Sequence, residues 1–340
     1  MQHMDSRKLV HNTLEFKNTT GTVPRQLWVL PWANEHYPNE VAQIQLDFPS
    51  DFGDIPNAGY TKLPKTIGAC YEIGEYIDEW GCKFNNIQKG VIGQVKEPII
   101  PTLDEDWYDI TKIHIPEENL SFDIDLINAE CKKTDKFIMA GCCPRPFEQL
   151  QFIRGTEQLY IDLITKPTKM MDFIAKMHDY YIRLLTKWCQ TDVDGVMFMD
   201  DWGSQKSLLI NPMTWDEIFR PLYQDYINIA KKYNKNTFMH SDGYTLDIIP
   251  RLIDMGLDAI NAQIFCIGIE KLKEYAGKIT FWGEIDRQHL LPFATTKEVK
   301  DAVVKVKESL WKDGGCIAQM EFGVGAKPEN VRAAFEQWSE

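Results

Sequence analysis

An imidazole and a carboxylate stand two residues apart in His240-Ser241-Asp242-Gly243, at the end of the short apolar run 236–239. Side chains two apart on an extended strand share a face, so both groups look the same way. The pair offers a nitrogen and an oxygen ligand for a divalent cation, or the two partners of an acid–base step. The plainer alternative is a histidine hydrogen-bonded to a neighbouring carboxylate. The same arrangement recurs along the chain. Cys142 and Cys143 follow Gly141, Asp200 and Asp201 follow Met199, Asn261 and Gln263 close the next run, Glu284 and Asp286 the one after, and Glu321 the last. Adjacent strand residues point to opposite faces, so one of Asp200 and Asp201 enters a shared cleft; Asp201, with Trp202 beside it, is the choice. Adjacent cysteines do not readily reach one ion, and Cys142 and Cys143 read better as small buried hydrophobes. Asp286 and Gln288 either bind a substrate or close a rim.

The elements that must position these groups are short. The apolar runs 136–141, 195–199, 236–239, 259–262, 279–283 and 316–320 are too short for helices and are bounded by Gly, Asp or Asn, so each reads as a buried strand. Helical patterns lie between them. Asn211-Pro212 opens one to Lys232, the stretch from Thr295 to Glu298 opens another to Leu310, and Lys327-Pro328 opens the last. Alternating strand and helix means parallel pairing, in an open doubly wound sheet or a closed barrel. No GxGxxG or GxxxxGK[ST] phosphate loop announces the open sheet. Polar groups at the C-terminal side of nearly every run favour the barrel, where all those ends converge on one mouth. The first 135 residues are less regular; 28–31 and 82–85 are candidate strands, and the pattern does not count to eight.

Thirty-seven basic against 50 acidic residues give a net charge of −13, a surface that repels a phosphate backbone. No stretch approaches the roughly 18 uninterrupted apolar residues of a membrane helix. The start, Met1-Gln2-His3-Met4-Asp5-Ser6, lacks the apolar core of a signal peptide, and eight scattered cysteines suit reduced thiols. The expectation is a cytoplasmic protein that binds neither nucleic acid nor membrane.

The segments Gly141-x-x-x-x-Pro146-Phe147-Glu148, Arg154-Gly155, Asp200-Asp201-Trp202-Gly203-x-Gln205, His240-Ser241-Asp242-Gly243, Gly283-x-x-Asp286-x-Gln288 and Pro328-Glu329-Asn330-Val331 carry a resemblance. Together and in order they resemble the uroporphyrinogen decarboxylase superfamily, which also contains zinc-dependent, corrinoid-linked methyltransferases. The resemblance implies one α/β domain over residues 1–340, a (β/α)8 TIM barrel with an irregular N-terminal segment and a single cleft. A homodimer is implied by resemblance alone.

Within that superfamily the haem-pathway decarboxylases carry an N-terminal strand reading WxMRQAGR, whose arginines hold substrate carboxylates. Pro31 and Glu35 stand at those positions here, and Glu35 has the wrong sign for the task. Asp51 matches the aspartate that contacts pyrrole NH groups in those enzymes, which keeps it a candidate catalytic residue. The methyltransferases hold metal with a His-x-Cys pair and a distant Cys; the matching positions here are His240, Asp242 and Glu321. The resemblance therefore implies a zinc site of one imidazole and two carboxylates, with Lewis-acid chemistry on a small substrate and a corrinoid protein as partner. Cys316 lies five residues before Glu321 on the same run, roughly 16 Å away, and does not replace it. For Glu321 the plainer reading is a pairing with Arg145 or Arg287. Asp201, Asp51 and Glu321 are the candidate catalytic residues, and Trp202, Gln205, Gln263 and Asp286 the candidate substrate contacts. The alternatives are a decarboxylase of uroporphyrinogen or a smaller acid, and a barrel that binds without turnover.

Overall fold

Strand formation follows the short apolar runs, because β-branched and aromatic residues two apart bury one face each on a pleated backbone. The computed structural model describes residues 5–101 and 107–340, so the polar start at residues 1–4 lies outside the described residues. Its strands are β1 (Arg25–Val29), β2 (Gly74–Ile77), β3 (Lys83–Asn86), β4 (Gln94–Glu97), β5 (Gly195–Met199), β6 (Asn236–Ser241), β7 (Ala259–Ala262), β8 (Thr280–Trp282) and β9 (Cys316–Phe322). Six of them form one curled parallel sheet in the order β1-β9-β8-β7-β6-β5. Its register sets Met199 beside His240, His240 beside Asn261, and Trp28 beside Glu321.

Two expected strands behave differently. Residues 82–85 fall in β3, but β2, β3 and β4 make a separate antiparallel sheet. The run 136–141 forms only two isolated parallel bridges, Phe137 with Phe52 and Met139 with Gly195. The amide of Ile138 explains the interruption: it donates to the Asp194 carboxylate at 2.7 Å, so a side chain takes the place of a ladder partner. At the other end of this segment's neighbour, the Asp51 amide donates to the Arg25 carbonyl at 2.9 Å.

The concave side of the sheet is filled in layers. Phe52, Phe137, Phe238, Ala259, Trp282 and Ile317 pack together at its N-terminal half, joined by Val10 and Leu14 of α1 (Ser6–Leu14). Phe238 sits 5.6 Å from Phe137 and 5.1 Å from Trp282, ring to ring, in edge-to-face contact. Each fully buried aromatic contributes about 2–3 kcal/mol of transfer free energy, which anchors the floor on which the polar layer stands.

Outside lie the longer helices: α2 (Pro146–Arg154), α3 (Thr168–Cys189), α4 (Pro212–Lys232), α5 (Thr296–Leu310) and α6 (Pro328–Trp338). Their starts obey the sequence signals. Asn211 caps α4 through the Met213 amide at 2.8 Å, Pro328 occupies the first turn of α6, and Thr295 with Glu298 forms a reciprocal capping box on α5. No helix among the described residues is long and apolar enough to cross a membrane.

Candidate metal centre at the strand ends

The site begins with alternation along β6. Phe238 points into the aromatic floor, and His240, two residues on, stands above it on the same side, with its ring 5.7 Å from that of Trp28. Asn261 of β7 holds the imidazole. Its amide nitrogen donates to the Trp282 carbonyl and, at 2.8 Å, to Gln319 Oε1, which leaves its oxygen facing His240 Nδ1 at 2.6 Å. Nδ1 therefore carries the proton, and Nε2 presents a lone pair to the mouth.

Two carboxylates flank that nitrogen. Asp201 Oδ1 and Asp242 Oδ1 each lie 3.6 Å from His240 Nε2. Among the described residues, one ligand atom from each of Asp201, His240 and Asp242 lies within 4.8 Å of the other two. What brings Asp201 there is a close approach of the loops after β5 and β6. Gly203 donates to the Asp242 carbonyl at 3.0 Å, and the Asp242 amide donates to Asp201 Oδ1 at 3.0 Å. Gly243 makes the approach sterically possible: its φ is +78°, and a Cβ there would fall 2.2 Å from the Gly203 carbonyl oxygen. Gln263 holds the same turn by accepting from the Gly243 amide at 3.0 Å.

Arg287 closes the far side. It pairs with Asp242 Oδ2, donates to Glu321 Oε2 at 3.2 Å, and lies 3.4 Å from Glu284 Oε1. Glu321 pairs with Arg287, the plainer alternative for it, and the carboxylate that stands beside His240 and Asp242 is Asp201. Burial, with Asp242 next, raises the Asp201 carboxyl above its ordinary range. Burial likewise pushes Glu284 up to about 8, only partly offset by Arg287. Glu148, at the back of the mouth, rises to about 7 through burial and then the Asp201 charge. A bound cation would relieve this excess of carboxyls. The donor set fits one: an imidazole nitrogen with two carboxylate oxygens suits a divalent ion such as zinc.

The remaining expected residues divide. Asp200 is fully buried behind Asp201, where it accepts from the Glu148 amide at 2.7 Å and from the Tyr223 hydroxyl. Trp202 is also fully buried, stacked 4.2 Å from Phe147 with its indole N–H on the Tyr223 hydroxyl at 3.1 Å, and so packs the core instead of touching a substrate. Asp51 stands at the opposite end of the sheet. Its two oxygens accept from Ser6 Oγ at 2.6 Å and the Arg25 amide at 2.7 Å, so it ties α1 to the start of β1 and takes no place in the mouth. Gln205, Gln263 and Asp286 line a cavity of about 80 Å³ with Glu284 and Arg287. Asp286 spends its oxygens on the Gln288 and His289 amides and the His289 ring, which shapes the rim. Cys142 and Cys143 are free thiols pushed up by burial, Cys143 to about 12. Glu35, where the decarboxylases carry arginine, makes a 2.5 Å ion pair with Lys89. Asn261 is visible in the sequence only as a strand-end group and Arg287 only as a partner for Glu321; their bonds to His240 and Asp242 depend on neighbouring strands and carry no spacing signal.

The sequence profile described as uroporphyrinogen decarboxylase matches residues 77–340. No curated protein sequence matches the chain. Among solved structures, the chain is similar to a methyltransferase from Methanosarcina mazei, with 16% identity, a TM-score of 0.56, and coverage of 76% of this chain and 75% of that one. It also aligns to 3-keto-D-glucoside 4-epimerase from E. coli at 10% identity and a TM-score of 0.38, over 63% of this chain and 82% of that one.

Proposed function

The chain belongs to the uroporphyrinogen decarboxylase family, and on that premise we propose that it is a metal-dependent methyltransferase. It moves a methyl group between a small substrate and a corrinoid carried by a partner protein. The observation that supports this most is the placement of Asp201, His240 and Asp242 ligand atoms within 4.8 Å of one another at the strand ends. The likeness to a methyltransferase fold agrees with it. On this reading the sheet closes: the extended segments around Phe52 and Phe137 are the second and third staves of a (β/α)8 barrel, and residues 1–340 form one domain.

His240 Nε2, Asp201 and Asp242 hold a divalent cation, zinc in this proposal, which supplies Lewis acidity to a substrate heteroatom when bound. Asn261 fixes the imidazole tautomer from behind, the second partner that ligating histidines require. Arg287 holds the outer oxygen of Asp242, so that carboxylate presents its other oxygen inward. Glu284, pushed up to about 8, holds a proton at neutral pH beside Arg287. Carboxylate ligands donate less charge than thiolates, which suits activation of a methoxy or methylamine type of donor.

The test is methyl exchange with free cobalamin, followed by the absorbance change as the cobalt–methyl bond forms or breaks. Methoxy and methylamine compounds serve as donors to cob(I)alamin, and methylcobalamin serves in the reverse direction. Exchange that requires metal and is lost in His240→Ala supports the proposal. Exchange in neither direction, or exchange untouched by His240→Ala, contradicts it.

A further inference from the structure

A second, larger cavity of about 340 Å³ lies between the antiparallel sheet β2-β3-β4, α2 and α3. One cation, Arg145, and two acids, Asp78 and Glu79, line it. Arg145, just before α2, has no ion pair or side-chain hydrogen bond among the described residues, and neither has Glu79; the two are not paired with each other. Partly buried ionic groups are ordinarily matched, since an unpaired charge away from water is costly. Neighbouring Asp78 acts on Arg145 through its charge but makes no hydrogen bond to it; its Oδ1 accepts from the Trp80 amide at 3.0 Å and the Cys82 amide at 2.7 Å.

Arg145 and Glu79 have different surroundings. Burial works against the Arg145 charge, and neighbouring Cys143, Glu148 and Tyr181 more than offset it, so the guanidinium stays charged. Glu79 shares the lining with Tyr60, Tyr76 and Tyr180, and Trp80 crosses Tyr180 edge to face at 5.6 Å. Aromatic faces beside a carboxylate attract alkylated ammonium groups, whereas a planar guanidinium pairs with a carboxylate through two parallel hydrogen bonds.

We propose that this cavity binds a small zwitterion, with its carboxylate on Arg145 and its alkylated ammonium among Tyr60, Tyr76, Trp80, Tyr180 and Glu79. A phosphate would set two negative charges against one guanidinium and meet Glu79 as well. A simple cation would leave Arg145 unmatched. If the ligand is also the methyl donor, that part alone rests on the methyl-transfer reading.

The experiment is calorimetric titration of the full chain, without corrinoid. Glycine betaine is the probe, compared with 3,3-dimethylbutyrate (the same shape without the cation), choline (no carboxylate) and glycine (no alkyl groups). Binding of glycine betaine at least tenfold tighter than all three supports the proposal. So do Arg145→Ala abolishing the advantage over choline and Glu79→Gln abolishing the advantage over 3,3-dimethylbutyrate, in variants that keep the wild-type circular dichroism and melting temperature. Equal affinity for all four probes, no measurable binding, or binding untouched by both substitutions overturns it. Repeating the titration with His240→Ala separates the two claims: betaine binding persists there if the cavity reading holds, whatever becomes of methyl transfer.

Discussion

Asn261 decides which nitrogen of His240 faces the mouth. Without it the imidazole is free to take the other tautomer and to rotate, so Asn261→Ala is expected to weaken metal affinity by about 10–100-fold while leaving the fold intact. Competition with a chromogenic chelator measures this, and unchanged affinity would remove Asn261 from the site. Glu284 carries a second prediction at the same scale. Its folded carboxyl is raised to about 8 from an ordinary 4.5, so the proton it keeps favours the folded state fully below pH 4.5. That contribution declines as pH rises between these values and is gone above about 8. In metal-free protein, Glu284→Gln should therefore gain stability relative to wild type from pH 5 to 8, by an amount on the order of a few kcal/mol, and hold that gain constant above. Urea melts across the pH range measure it; a flat difference would mean the carboxyl is ionised in the folded state.

Alternation along the strands made His240, Asp242 and Asp201 legible in the sequence, because position on a strand dictates facing. The same rule carries Trp202 to the other side of the strand end, where it is fully buried against Phe147, although its aromatic character suggests a cleft wall. The choice between Asp201 and Glu321 as the third group was not legible. It depends on how the loops after β5 and β6 lean together and on Arg287 drawing Glu321 away, neither of which spacing along one strand encodes. Asp51 lies beside the start of β1 for a reason equally hidden in spacing: a motif match identifies a residue without saying which end of the sheet it occupies.

At the scale of elements, the weld between Gly203 and Gly243 is what joins two strand ends into one site. Gly243→Ala would place a methyl 2.2 Å from the Gly203 oxygen in a left-handed backbone conformation. It is expected to destabilise the protein by about 1–3 kcal/mol and to weaken metal binding by separating Asp201 from His240. Thermal melts with and without metal check both parts, and full metal affinity in this variant would show that the loops act independently. The aromatic floor is a different case. Phe238→Ala removes a buried ring from beneath His240 and should cost about 3–5 kcal/mol. The floor was foreseeable as a set of buried strands, whereas the side-chain bond from Ile138 to Asp194 that interrupts the run at 136–141 was not.

At the scale of the whole molecule, the curled parallel sheet gathers its chemistry at one end and seals the other with α1 and Asp51. The strand-end carboxyls Asp201, Asp242, Glu284 and Glu321 gather at the first end around His240 and Arg287. From residue 195 onward the order of strands was readable because each run carried its own boundary signals. The antiparallel sheet β2-β3-β4 was not, since its strands are short and half exposed and carry no continuous apolar pattern. That sheet nevertheless walls the second cavity, so the least legible part of the chain shapes the ligand space beside the most legible.

The central claim is that Asp201, His240 and Asp242 hold a divalent cation. The most direct measurement is elemental analysis of wild type and His240→Ala after loading with zinc and exhaustive dialysis against metal-free buffer. The account predicts about one ion per chain in the wild type and less than about a tenth of that in the variant, with both proteins equally folded by circular dichroism. A wild type that retains no metal, or a variant that retains as much as the wild type, would contradict it.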